Sequence, residues 1–429
     1  MTDEDGAEGQ AQAGVLQDRD FRFLLDSTSL SQIGQQISGL ALPLVAVVSL
    51  TATEFEVGLL SAMSTVAFLL IGLPAGVWVD RLRYRRILIV SDLIRAVVLL
   101  TIPTAWWLGV LTVWQLYAVA LVMGVFSVFF DVAYQSYLPR LIGRERLVEG
   151  NAKLETVHSV AQLGGPVAAG QLIAWLTAPV ALAFDAVAMG LSALFVGCMR
   201  YQQPKPDAGA RSPLAADIAE GLRFVLGNPL LRAIAGSTAL FNLAFAAYMA
   251  MLVFFLPRDV GLGAQQIGIV FSLLGVGGLA GALATRRLTL WLGEGPAIWL
   301  STATTAPFAL LMPAAADGGW SVWLGASGLA VAGFGIVVYN VTQVSFRQRL
   351  TPDHLLGRMN ATMRFLIWGT QPIGAVIGGF LGQLYGAEAA LWIAGTVACM
   401  AFLPVVLSPL RRMRRLPDGH TAVATPPPA

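Results

Sequence analysis

Residues 72–86 read GLPAGVWVDRLRYRR. Gly72 and Gly76 close an apolar run that begins near residue 57. Asp80 and Arg81 follow at once, and Arg83, Arg85 and Arg86 lead into a second apolar run over 87–107. Each run matches the about 20 helical residues that cross a bilayer core about 30 Å thick. Glycines near a helix end let a neighbouring helix approach, and arginines between spans are held on the cytoplasmic side during insertion. The stretch reads as a short cytoplasmic connection between two membrane spans, and it sets the class of fold.

The rest of the chain agrees. Of its 429 residues 56% are hydrophobic and 12% charged, about half the charge of a soluble domain, and the mean hydropathy is +0.70. Twelve crossings need roughly 240 positions. This excludes an ordinary soluble enzyme, a disordered chain and a nucleic-acid binder; a net charge of +2 singles out no partner. Apolar runs predict spans near 21–50, 57–79, 87–107, 112–138, 151–175 and 179–199, then 230–257, 264–286, 296–315, 319–346, 359–385 and 387–410. An even number places both termini on one side. Arg140, Arg144 and Arg146 follow span 4, Arg286 and Arg287 span 8, Arg347, Arg349 and Arg358 span 10, and Arg411 and Arg412 span 12. Of 27 Lys and Arg residues, only Arg258 is assigned to the opposite side, so both termini are expected in the cytoplasm of a cell with an inner (plasma) membrane. The polar, acidic first twenty residues do not resemble a cleaved signal. Trp106, Trp107, Trp114, Trp175, Trp320, Trp323 and Trp392 fall at outer span ends, as interfacial rings do.

The two halves match each other. A shift of 209 residues lays Gly124 on Gly333, Arg140 on Arg349, Gln162 on Gln371, Gly165 on Gly374 and Gly170 on Gly379. A shift of 210 pairs Ser27 and Thr28 with Ser237 and Thr238. The expected fold is all-α and integral to the membrane: twelve transmembrane helices in two pseudo-symmetric six-helix bundles, an architecture suited to a carrier with its site between the repeats. The division is a cytoplasmic tail 1–18, a first bundle 19–200, a linker 201–229, a second bundle 230–410 and a basic tail 411–429. Leu214, Ile218, Leu222 and Val225 recur at helical spacing in the linker, predicting an amphipathic helix on the cytoplasmic membrane surface or a plain tether.

The pattern G-x-x-x-D-R-x-x-x-R-R, Gly76 to Arg86, resembles the signature loop of the major facilitator superfamily. The resemblance implies that Asp80 faces the start of span 11, that Arg81, Arg85 and Arg86 pair with carboxylates, Asp131 among them, and that this cluster latches the bundles on the cytoplasmic side. Gly165, Pro166 and Gly170 in span 5 resemble the G-P-x-x-G-G element of the family's proton-driven exporters, with Ala169 in place of one glycine. Phe129–Ile142, Arg144–Glu155 and Phe255–Gly268 are similar to the exporter branch that includes enterobactin exporters and Tap-type multidrug pumps. That likeness implies alternating-access, proton-coupled efflux (antiport) of an amphiphilic small molecule such as a drug, antibiotic or siderophore.

Ionisable side chains within spans are costly and invite a functional reading. Asp26 is read as a proton or cation site or a hydrated helix end, Asp131 as a gate residue, and Asp185 as a proton carrier or a structural acid near the outer end of span 6. Glu155 and Arg364 occupy equivalent positions in spans 5 and 11, suggesting a breakable salt bridge across the cytoplasmic mouth. His158 is a titrating group or a hydrogen-bonded packing residue. Candidates for a largely apolar substrate cavity are Gln35, Gln36, Phe126, Asn242, Asn340, Gln343 and Trp368, the amides serving otherwise as helix–helix bonds. No catalytic, cofactor or metal pattern is read, and Cys198 and Cys399 are taken as packing residues. The expected partners are the substrate, protons and the lipid bilayer around a monomer. Two other readings stay open: a proton-coupled importer (symporter) of the same fold, and a transport-inactive membrane sensor or scaffold.

Overall fold

Spans start and stop where the sequence supplies a cap or a breaker. Span 1 (Arg19–Ser49) opens on Asp18, whose carboxylate accepts from the backbone N–H groups of Asp20 and Phe21 at 3.0 and 3.3 Å. Pro43 removes a backbone donor near its other end, and the last turn, Val45–Ser49, widens to a π-turn. Thr112 caps span 4 (Val113–Ile142), and Asn228 caps span 7 (Pro229–Arg258). The others are span 2 (Glu54–Asp80), span 3 (Tyr84–Trp107), span 5 (Leu147–Leu176), span 6 (Ala178–Cys198), span 8 (Ala264–Leu292), span 9 (Glu294–Ala315), span 10 (Ser321–Leu350), span 11 (Leu356–Tyr385) and span 12 (Ala387–Val406). Span 11 is interrupted at Gly369.

The computed structural model describes residues 15–80, 82–143, 146–201, 214–316, 318–352 and 355–413; the side chains of 73, 76, 77, 80, 148 and 214–217 also lie outside what is described. Among the described residues, 11 helices are long and apolar enough to cross a membrane. Span 5 has 30 residues, about 45 Å of helix, but its glycines and glutamines lower its hydropathy. The chain is a multi-pass, all-helical membrane protein.

The span ends that meet the linker form one face of the molecule, here the linker face; the opposite end is the far face. Spans 1–6 pack chiefly among themselves, as do spans 7–12. The repeat is visible in single contacts. Ser27 hydrogen-bonds Ser192 at 2.7 Å, and Ser237, 210 residues on, donates to the Ala401 carbonyl at 2.6 Å. Gly124 abuts the Ser64 carbonyl as Gly333 abuts that of Leu274. Span 5 turns into span 6 at Thr177 (φ 80°), and span 11 into span 12 at Gly386 (φ 87°), 209 residues later.

The apolar core is divided unevenly. Toward the far face one cluster takes residues from both halves, among them Leu60, Leu116, Ala181, Met251, Phe255 and Ala390. Toward the linker face there are two separate cores, one around Phe21, Tyr84 and Tyr137, the other around Leu231, Phe346 and Met363. The halves thus share one apolar core at the far face and keep separate cores at the linker face.

The linker helix (Leu214–Gly227) is held by the second half. It docks on span 11: Glu220 pairs with Arg358 at 2.6 Å, Gly221 fits against Thr362 and the Arg358 carbonyl, and Val225 is buried. The missing side chain at Gly221 permits this approach, which the sequence periodicity alone does not reveal.

Candidate transport pathway

Two helix pairs make the seam between the halves: span 2 with span 11, and span 5 with span 8. The repeat makes these one contact occurring twice. Gly58 lies against Gly379 and the Ala375 carbonyl; Gly268 lies against Gly170 and the Pro166 carbonyl. A Cβ at any of these four positions would crowd the opposite backbone, so small residues set the approach. The span 5 motif therefore has a concrete place: Pro166 and Gly170 seal the far side of the seam. Gly165 instead accommodates Gln36 of span 1 within the first half. At the far rim, Arg258 crosses between halves and donates to the Val47 carbonyl at 2.9 Å.

Behind this seal lies a central cavity of about 390 Å³, lined by Gln36, Pro43 and Thr65 from the first half and Phe245, Met249 and Gln371 from the second. Its wall is mostly apolar with a few amide and hydroxyl groups, the make-up of a site for an amphiphilic molecule. A second cavity of about 190 Å³ lies nearer the linker face, between Gly72, Asp131, Arg364, Phe365 and Trp368. There Phe68 meets Trp368 edge-on at 4.8 Å, and the Arg364 guanidinium stacks over Trp368 at 4.8 Å.

The structure sorts the candidate residues. Gln36, Asp131, Arg364 and Trp368 line cavities between the halves, while Gln35 and Asn340 are exposed. Phe126 packs toward Phe129. Asn242 donates to the Thr238 carbonyl at 2.9 Å and accepts from Gln371 at 3.1 Å, serving helix packing behind the cavity wall. Gln343 is buried within span 10, its carbonyl oxygen without a partner. His158 bridges Gln32 at 3.2 Å and Gln162 at 2.9 Å; a neutral ring donating from Nδ1 and accepting at Nε2 satisfies both. Asp26 is exposed.

Glu155 and Arg364 form no salt bridge: Glu155 is exposed on span 5, which packs on span 8, whereas span 11 packs on span 2. Equivalence under the repeat put them in matching places on opposite sides of the molecule. Asp185, two turns from the far end of span 6, is fully buried against span 1, where Ser38 donates to its carboxylate and Gly34 leaves room for it. In the signature loop, Arg85 pairs with no carboxylate among the described residues; it donates to the Val196 and Gly197 carbonyls at the end of span 6, at 3.1 and 2.5 Å, as cations do at helix C-termini. Arg86 is exposed. Arg81, the Asp80 side chain and position Gly76 lie outside the described residues. Sequence reasoning passed over Asp92 and Arg95, a fully buried ion pair inside span 3.

The family model described as Major Facilitator Superfamily matches residues 27–370. An uncharacterised MFS-type transporter, y4rN, of Sinorhizobium fredii is 28% identical over 369 residues, covering 84% of this chain and 87% of the relative. The enterobactin exporter EntS of Escherichia coli is 26% identical over 412 residues, covering 94% and 95%. Among solved structures, a bacterial homologue of the iron transporter ferroportin in an inward-facing state superimposes with a TM-score of 0.72 at 16% identity, over 91% of this chain and 98% of that one. The nucleoside transporter NupG does so with 0.71 at 13%, over 90% and 99%. With its twelve paired spans and a family match across most of its length, the chain belongs to the Major Facilitator Superfamily.

Proposed function

We propose that this transporter expels an amphiphilic small molecule across an inner (plasma) membrane in exchange for protons, with both termini and the linker in the cytoplasm. One observation carries the reading: the apolar core is shared at the far face and split at the linker face, around a mostly apolar cavity. In that shape, cargo enters from the linker side. Rocking the halves about the seam then closes the linker side and releases the cargo at the far face. The positive-inside arginines support the cytoplasmic placement of the linker, the span 5 motif supports export, and the similarity to a relative named enterobactin exporter supports a siderophore-like or drug-like cargo. The chain works as a monomer in lipid, its two six-helix units hinged at the linker.

Inside-out membrane vesicles energised to an acidic interior test this, with ethidium and iron-free enterobactin as probes. Uptake of either probe that stops when nigericin collapses the pH gradient is the expected result. Undiminished uptake after collapse would remove proton coupling, and gradient-driven loss from the vesicles would reverse the direction.

A further inference from the structure

The first half holds ionisable groups that the cavities do not use. In span 3, Asp92 and Arg95 are fully buried and form an ion pair one turn apart. The second Asp92 oxygen accepts from the Ser192 hydroxyl of span 6 at 2.6 Å, and Ser192 in turn meets Ser27 and Ser31 of span 1 at 2.7 and 3.2 Å. Arg95 also reaches Ser127 of span 4 at 3.3 Å, and its guanidinium lies 4.7 Å over the Phe130 ring. Two turns from Ser192 on the same side of span 6 is Asp185. One of its oxygens accepts from Ser38; the other is buried without a partner. Ser27, Ser31, Gly34 and Ser38, spaced four, three and four residues apart, form one stripe of span 1 facing span 6.

Packing does not require these charges. The corresponding stretches of the second half carry Ser301, Thr302, Thr304, Thr305 and Ala394. The same scaffold is thus built there without an ionisable group, although a buried ion pair rarely adds stability over apolar residues. The charge balance is also incomplete: Arg95 offsets the carboxylate of Asp92, and the charged groups that Asp185 faces are those same two, with only serines and Gly34 opposite it on span 1.

We infer that Asp185 is a proton-binding site of this transporter, seated between spans 1 and 6 apart from the cargo cavity, beside the neutral Asp92–Arg95 pair. The inference rests on the proton-coupled reading above. In the linker-open state the Asp185 carboxyl keeps its proton, since its partnerless oxygen is then not a bare charge in an apolar seam. Gln36, Gly39 and Pro43 of span 1 line the central cavity, while Gly34 and Ser38 of the same helix seat Asp185. A shift of span 1 under cargo therefore changes that seat. The Ser38 hydroxyl turns to accept: the Asp185 O–H bond breaks as its proton goes to the Ser38 oxygen, Ser38 gives its own proton to water in the cavity, and the hydroxyl then turns back to donate to the carboxylate left behind.

The test uses the full-length protein in lipid. Infrared difference titration follows the protonated-carboxyl band, and ethidium transport is measured both as pH-gradient-driven efflux and as gradient-free dye exchange. Asp185→Asn is expected to remove a titrating carboxyl band and to lower gradient-driven efflux at least tenfold while exchange persists; Asp185→Glu restores part of the drive. A merely structural acid would lower both modes together. Should Asp185→Asn fail to fold, Ser38→Ala decides: loss of the donated hydrogen bond moves the titration of the band toward alkaline pH, and an unmoved titration overturns the inference. An unchanged band, or full gradient-driven efflux in Asp185→Asn, overturns it while leaving proton coupling intact. Wild-type efflux indifferent to the pH gradient defeats both readings.

Discussion

Gly58 of span 2 and Gly379 of span 11 meet so closely that a Cβ built on Gly58 would fall 2.6 Å from the Gly379 Cα, and one built on Gly379 would fall 2.9 Å from that of Gly58. The repeat reproduces the meeting at Gly268 and Gly170. Four glycines, two in each half, thus hold the far face shut.

Gly58→Val should therefore oppose far-face closure specifically. Overpacking of this kind costs about 1–3 kcal/mol, and the upper end is more than a hundredfold in the closed-to-open ratio. Labelling of a cysteine introduced at the cavity residue Thr65, in a background lacking Cys198 and Cys399, by a membrane-impermeant maleimide added from the far side should rise, and probe efflux should fall at least tenfold in well-folded protein. Unchanged labelling would show that the far seam is not the barrier.

Thr177 (φ 80°, ψ 155°) occupies a backbone region that its repeat mate Gly386 (φ 87°, ψ 157°) fills without strain. A side chain there costs about 1–3 kcal/mol. Thr177→Gly should raise the thermal unfolding midpoint, and Gly386→Ala should lower it; a lower midpoint for Thr177→Gly contradicts the assignment of strain.

Asp259 sits just beyond span 7 at the far rim. Partial burial, with the charges of Glu54 and Glu388 added, raises its pKa above the ordinary carboxylate value against the opposing pull of Arg258. The folded protein then holds this proton more tightly than the unfolded chain. Its contribution to stability is full below the unfolded-state pKa and is lost as pH rises through the higher folded-state value. The melting midpoint of Asp259→Asn should fall less over that acidic range than that of the wild type. Parallel pH profiles would show that Asp259 is not the group responsible.

The linker helix offers a contrast of size. Glu220 and Arg358 are partly exposed, so Glu220→Ala should change stability by less than about 1 kcal/mol. Gly221→Val collides with Thr362 and the Arg358 carbonyl and should undock the helix, seen as faster amide exchange over 218–227. Equal effects of the two substitutions would mean that charge, not close approach, seats the helix.

Hydropathy and arginine placement made the span order legible, because burial in lipid leaves a long apolar run whatever the neighbours are. The 209-residue repeat made the glycines of spans 5 and 11 legible as equivalents, but equivalence is not contact. Gly170 meets Gly268 and Gly379 meets Gly58, since each helix crosses the seam to a different partner; Glu155 and Arg364 stay apart for the same reason. Asp92 and Arg95 escaped notice because two opposite charges one turn apart barely disturb an apolar run of 24 residues. Which side of span 6 Asp185 faces depends on Gly34 and Ser38, some 150 residues away, and only packing brings them together.

The most direct test of two halves rocking about that seam is a pair of distances measured by spin-label resonance in a background lacking Cys198 and Cys399. Labels at Trp175 and Gln265 report the far ends of spans 5 and 8, and labels at Lys153 and Arg287 report their linker ends. Changing pH or adding probe should lengthen the first distance as it shortens the second. Two distances that stay fixed, or that grow together, would contradict the rocking of matched halves.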